Sequence, residues 1–109
     1  MRPVRVTVSS QTASAPIPLN PLIGQFVVGL GAHVNSGTLT YQVQYTYDDV
    51  YSPTFSAGSA TWFTHSTITG KSADFDGVIT IPCTAVRLNV TAWTSGSVTL
   101  TVIQSGNTE

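Results

Sequence analysis

Charged side chains are scarce in this sequence. Four Lys and Arg together with five Asp and Glu make up 8% of the 109 residues, whereas an ordinary soluble domain carries about 25%. The net charge of −1, with dispersed basic residues, provides no electrostatic footprint for nucleic acid. A weakly charged surface also lacks the repulsion that keeps monomers apart, so we expect partners to cover part of it.

Cysteine and long apolar runs are also nearly absent. The single cysteine, Cys83, excludes an intramolecular disulfide, and nothing in the sequence argues for an oxidising compartment. No run approaches the roughly 20 apolar residues of a membrane span, and the first residues, MRPVRVTVSS, lack the apolar core of a signal peptide. We therefore expect an untargeted, soluble protein with no membrane partner.

Threonine and serine occupy the polar positions instead, with 17 and 12 copies. Thr is β-branched and both residues are weak helix formers, which favours β-structure. The clearest pattern lies in residues 84–104, where apolar and polar residues alternate on both sides of Thr94-Ser95-Gly96. This pattern predicts an antiparallel hairpin with Trp93 on the face opposite the apolar residues.

Other segments show the same alternation. Residues 3–10 predict a first strand, and residues 38–48 predict a strand whose core face includes Tyr41, Tyr45 and Tyr47. Asp76-Gly77 predicts a turn before a further strand. Seven or eight short strands without an amphipathic helix indicate an all-β fold, either a single antiparallel β-sandwich or a jelly-roll-like barrel.

The N-terminal part differs because residues 11–22 contain three prolines. Proline lacks an amide donor and biases its predecessor towards extended geometry, so this segment is predicted to be extended and not a central strand. One domain is expected overall, with a first strand and Pro-rich arm over residues 1–22 and the β-sandwich over residues 23–109. The arm is predicted to expose an apolar row that needs a partner surface: Ile17, Leu19 and Leu22. Removing it is expected to abolish partner binding and leave the fold intact.

No group of residues has the spacing of a catalytic or metal site. His33, His65 and Cys83 are far apart in the sequence, and a metal site needs three or four convergent ligands. Asp74 and Asp76 are interpreted as turn formers, because the other acidic ligands of a calcium loop are missing. No GxSxG elbow is present. We predict no catalytic, cofactor-binding or metal-binding residues, and therefore no enzyme.

The runs WFTHSTITG at residues 62–70 and DFDGVITIPCTAVRLNVTAWTSGSVTLTVIQSG at residues 74–106 carry a resemblance. Over residues 41–106, and most strongly over residues 85–104, the chain resembles small structural proteins of tailed bacteriophages. The resemblance implies a β-sandwich or jelly-roll decoration (cement) protein that binds the outside of the capsid. It carries over no active-site residues.

The sequence thus predicts a non-enzymatic virion structural protein, made in the host cytoplasm and located on the capsid exterior. It would stabilise the head by bridging major capsid protein subunits, and self-association there as a dimer or trimer is a further expectation. A tail or head–tail joining component is one alternative. A carbohydrate-binding module, with Trp62, Trp93 and the tyrosines as a sugar-stacking platform, is another. The predicted partner-binding residues are Arg2, Arg5, Ile17, Leu19, Leu22, Trp62 and Trp93.

Overall fold

A computed structural model describes residues 3–19, 26–50, 52–56 and 58–104. Within these ranges the chain forms β-strands, and no helix there is long and apolar enough to cross a membrane. The strands are β1 (Val4–Val8), β2 (Ile17–Pro18), β3 (Val28–Ser36), β4 (Leu39–Thr46), β5 (Trp62–Thr64), β6 (Phe75–Ile79), β7 (Ala85–Trp93) and β8 (Ser97–Gln104).

The strands form two antiparallel sheets of four strands each. Sheet A has the order β1-β8-β3-β6, and sheet B has the order β2-β7-β4-β5. Alternate residues of both sheets point into one shared core, which includes Leu30 and Leu100 from sheet A and Val43 and Leu88 from sheet B. The predicted antiparallel β-sandwich is therefore confirmed.

β7 and β8 are consecutive strands but do not pair. β7 bonds to β2 and β4, whereas β8 bonds to β1 and β3 in the other sheet. The predicted hairpin is therefore wrong, since residues 94–96 carry the chain from one sheet to the other. Alternation shows that each strand has one buried face, but pairing in a sheet and facing across a core give the same pattern.

The segment that links β7 to β8 contacts the segment that links β3 to β4. Each carries the chain from one sheet to the other, and we call these two segments the crossings. The backbone amide of Thr94 donates to the Thr38 carbonyl at 2.9 Å. Gly37 and Gly96 both have positive φ, +82° and +86°. A Cβ on Gly96 would overlap the carbonyl oxygen of Ser36, so the two crossings approach closely only because glycine is present.

Residues 3–19 belong to the sandwich and do not form a separate arm. β1 pairs along its whole length with β8, and β2 lies on the edge of sheet B beside β7. A sheet edge tolerates Pro18, whose missing amide would not be used there. Ile17 and Leu19 are buried in the core, so the predicted exposure of these two side chains is wrong. Leu22 lies outside the described residues.

Asp76 and Gly77 lie inside β6, so the predicted turn at these residues is wrong. Both pair with β3. A Cβ on Gly77 would lie 3.0 Å from Cδ1 of Ile68 and 3.3 Å from Cε1 of His65. The glycine therefore serves close packing of the 65–68 segment against β6, a role that an Asp-Gly sequence does not reveal.

Candidate partner-binding surface

Three aromatic side chains form a partly exposed cluster near the ends of β4 and β5. The ring centroids of Tyr45 lie 5.8 Å from Tyr47 and 6.1 Å from Phe63, and those of Tyr47 and Phe63 are 5.5 Å apart. Tyr47 is 47% exposed and Phe63 is 46% exposed. The prediction that Tyr47 belongs to the core is wrong, because β4 ends at Thr46 and the chain leaves the core there.

A groove separates this cluster from the end of β6. Its cavity of about 180 Å³ is lined by Tyr45, His65 and Ser66 and by residues 78–81. Val78 and Ile81 are exposed apolar residues, and Ile81 is 57% exposed. We call these five side chains the corner patch, and none of them is charged: Tyr45, Tyr47, Phe63, Val78 and Ile81.

His65 lines the groove and is held there by hydrogen bonds at both ring nitrogens. Its Nε2 donates a hydrogen bond to the Val78 carbonyl at 2.9 Å. Its Nδ1 accepts hydrogen bonds from the backbone amides of Thr67 and Ile68, each at 3.2 Å. The buried ring thus ties sheet A to the segment that follows β5, so the groove is formed before a partner arrives.

The predicted site residues do not converge. Arg5 is exposed on the outer face of sheet A, whereas Trp62 lies on sheet B. The guanidinium of Arg87 stacks 4.2 Å from the Trp62 ring centroid, and Arg87 Nε donates to Gln44 Oε1 at 2.9 Å. Trp62 is therefore half-buried in a local polar cluster. Arg2 lies outside the described residues.

Trp93 lies at the end of sheet B opposite to Trp62, where it pairs with the first residue of β4. A register shift beside Thr40 pairs Trp93 with Leu39, so the bulge turns Trp93 towards the face that strict alternation does not predict. Trp62 and Ala85 both pair with Thr46, so Ala85 marks the position of Trp62 along β7. Ala85 precedes Trp93 by eight residues, or about 26 Å along the strand. The two tryptophans therefore do not form one sugar-stacking platform.

Titratable groups are dispersed over the described residues, where no three His, Cys, Asp or Glu side chains come together to hold a metal. His33 Nδ1 lies 2.8 Å from Asp74 Oδ2 on the surface. The backbone amide of Val34 and the His33 ring both bond to the Asp74 carboxylate and lower its pKa. The pair therefore links β3 to the residue that precedes β6.

Cys83 is buried, and burial raises the pKa of its thiol to about 11. Because the thiolate is the reactive form, we predict very slow reaction with Ellman's reagent at pH 8 in the folded protein. Protein unfolded in guanidinium should react fully and provides the control. Equally fast reaction of both forms would contradict this placement of Cys83.

The same pKa shift predicts the direction of alkaline unfolding. The unfolded thiol titrates near 9.0 and the folded thiol near 11. The folded state keeps the thiol protonated, so the stability that this group contributes is fully present below about pH 9. It is lost as the pH rises towards 11, because the unfolded thiol ionises first. Burial and the nearby Asp74 raise the pKa of Tyr41 to about 12, which extends the loss to higher pH.

No protein-family model and no curated protein matches the chain. Among solved structures, the fold is similar to that of a chain from Bacillus endospore appendages, described as a novel family of disulfide-linked pili. The TM-score is 0.50 at 15% sequence identity, over 93% of this chain and 82% of that one. At this identity the similarity concerns the fold alone.

Proposed function

We propose that the protein is a non-enzymatic structural component of a tailed-phage virion. In this role it is a capsid decoration protein that bridges major capsid protein subunits on the outside of the head. The corner patch is the observation that carries the proposal. It places three clustered aromatic rings and two aliphatic side chains beside a preformed groove.

The chemistry of the corner patch suits a protein partner. Aromatic side chains are enriched at the energetic centre of protein–protein interfaces, and charged residues are depleted there. Tyr47, Phe63 and Ile81 are each about half exposed and carry no charge. Tyr45, Phe63 and Val78 are held by strands, which lowers the entropy cost of ordering these side chains on binding.

The strand order supports a jelly-roll assignment. Counting along the chain, the neighbouring pairs β1–β8, β2–β7, β3–β6 and β4–β5 are nested one inside the next. Eight strands wrapped in this way are the arrangement of jelly rolls, which occur in viral capsid domains and also in lectins and cupins. Fold alone does not assign function, so the proposal depends on the surface and the phage resemblance.

The pilus subunit with a similar fold supports the coarser statement that this fold builds assemblies. Its family is described as disulfide-linked. This chain has one cysteine, and Cys83 is buried, so disulfides cannot link its subunits into a chain. We therefore favour assembly through non-covalent surfaces.

Capsid co-sedimentation tests the proposal. Phe63→Ala removes an aromatic ring from the corner patch and should weaken binding to capsids assembled without this protein by about tenfold or more, the effect of losing one hot-spot residue. Trp93→Ala is the matched control, since Trp93 is also an exposed aromatic residue at 40%. It should leave binding close to that of the unsubstituted protein.

The same pair of variants tests the sequence-based assignment of Trp93. Retained binding with Phe63→Ala, together with loss with Trp93→Ala, would contradict the corner patch and move the interface to the opposite end of sheet B. Thermal unfolding of both variants shows whether a loss arises from misfolding. Docking on the tail or the head–tail joint stays the alternative to test if capsids bind none of the proteins.

A further inference from the structure

The outer face of sheet A has a pattern that overlaps the corner patch only at Val78, which pairs with Gly29. Cross-strand neighbours form a row that runs from Arg5 on β1 through Thr101 on β8 and Gly31 on β3 to Asp76 on β6. The row has a positive charge at the Arg5 end and a negative charge at the Asp76 end, and the two residues between them have small side chains or none. At strand spacings of about 4.8 Å, the Cα atoms of Arg5 and Asp76 lie about 14 Å apart.

Neither charged end of this row is neutralised within the described part of the chain. Arg5 and Asp76 are both exposed, and no ion pair joins either of them to another described residue. An arrangement with opposite charges at the two edges and no internal partner is complementary to a reversed copy of itself.

The next row has a matching shape. Ile103 on β8 is a neighbour of Gly29 on β3, and Ile103 is 45% exposed. Both rows therefore place a β-branched side chain on β8 beside a glycine on β3. A Cβ on Gly31 would meet no atom within 4 Å, so the space above this strand is open.

We propose that this face is a self-association surface that joins two copies of the chain about a two-fold axis parallel to the strands. This rotation lays β8 of each copy over β3 of the other, and β1 over β6. Each Ile103 then faces a Gly29, and each Thr101 faces a Gly31. Both Arg5 side chains face an Asp76 carboxylate, so the interface is isologous.

The size of the face limits the strength of this contact. Four strands and about five residues of each span roughly 300 Å² of flat surface, well below the about 800 Å² per partner of a standard interface. The dimer is therefore expected at high protein concentration, or where another surface holds the copies side by side. Val78 belongs to both surfaces, but the charged row and the glycine positions that carry this proposal lie outside the corner patch.

Sedimentation equilibrium at low ionic strength, up to millimolar protein, measures the association. Arg5→Glu should weaken it about tenfold, because it reverses both symmetry-related pairs, and Asp76→Arg should do the same. An equimolar mixture of the two variants should restore it, since each glutamate at position 5 then faces an arginine at position 76. Lys71→Glu makes the same change of charge on the opposite side of β6, where the Lys71 ammonium lies over the Phe75 ring, and should have no effect.

Gly31→Val tests the shape of the surface separately. Its side chain would enter open space within a strand, so folding should be unaffected. It should abolish association by filling the space that Thr101 of the second copy enters. A monomer at millimolar concentration would overturn the proposal, and so would a mixture no tighter than the single variants. Association that survives Gly31→Val would overturn it as well.

Discussion

Gly96→Ala is expected to destabilise the protein by about 3 kcal/mol or more. The left-handed conformation costs a non-glycine residue roughly 1–2 kcal/mol, and Gly96 has φ +86°. The added methyl group would also overlap backbone atoms of Ser36, which cannot move away as a side chain can. Overpacking of this kind costs about 1–3 kcal/mol. A loss of this size is a large part of the 5–15 kcal/mol that stabilises a typical domain.

Gly31→Ala is the matched control for this prediction. Gly31 lies in β3 without a positive φ, and a Cβ there meets no atom within 4 Å. Alanine should be neutral or slightly stabilising, because it restricts the unfolded chain. Urea unfolding of both variants measures the difference, and equal stability of the two would show that the crossings do not pack as described.

Leu19→Ala is expected to cost about 2–5 kcal/mol, the range found when a buried leucine is truncated. Leu19 is only 2% exposed, and its backbone amide donates to the Thr84 carbonyl at 2.8 Å. The substitution therefore tests whether the Pro-rich segment is part of the folded domain. Ile81→Ala is the control, since this residue is 57% exposed and its truncation should change stability by less than about 1 kcal/mol.

Unchanged stability of Leu19→Ala would favour a detached arm instead.

The structure also changes the expectation for removing residues 1–22. That deletion would take away β1, which pairs with β8, and the buried Ile17 and Leu19. We therefore expect it to unfold the domain, and a loss of partner binding by the truncated chain would not locate an interface.

The sequence predicted the sandwich because alternation is a local property. Val43 and Leu88 are buried where the period-two pattern puts them. Pairing is not local, and so the same pattern gave a hairpin where β7 and β8 lie in opposite sheets. The proline segment was misassigned for a related reason, since its buried side chains depend on a sheet edge that only the folded chain provides.

The candidate surfaces were harder to predict than the fold. Tyr45, Tyr47 and Phe63 are up to 18 residues apart, and their contact depends on the pairing of β4 with β5. Trp93 lies on the face opposite to the one that strict alternation predicts, because of a bulge that the residue types there do not predict. Gly29 and Gly31 pair in regular register with β6 and β8, so the shallow outer face that they leave depends on the pairing of three strands.

Electron microscopy of capsids saturated with the protein tests the central claim most directly. The proposal predicts saturable occupancy at defined symmetry positions on the outer shell, with Tyr47, Phe63 and Ile81 facing capsid subunits. Density elsewhere on the particle would indicate a tail or joining role. Absence of density at saturating concentration, or a bound protein whose corner patch faces solvent, would contradict a decoration role through this surface.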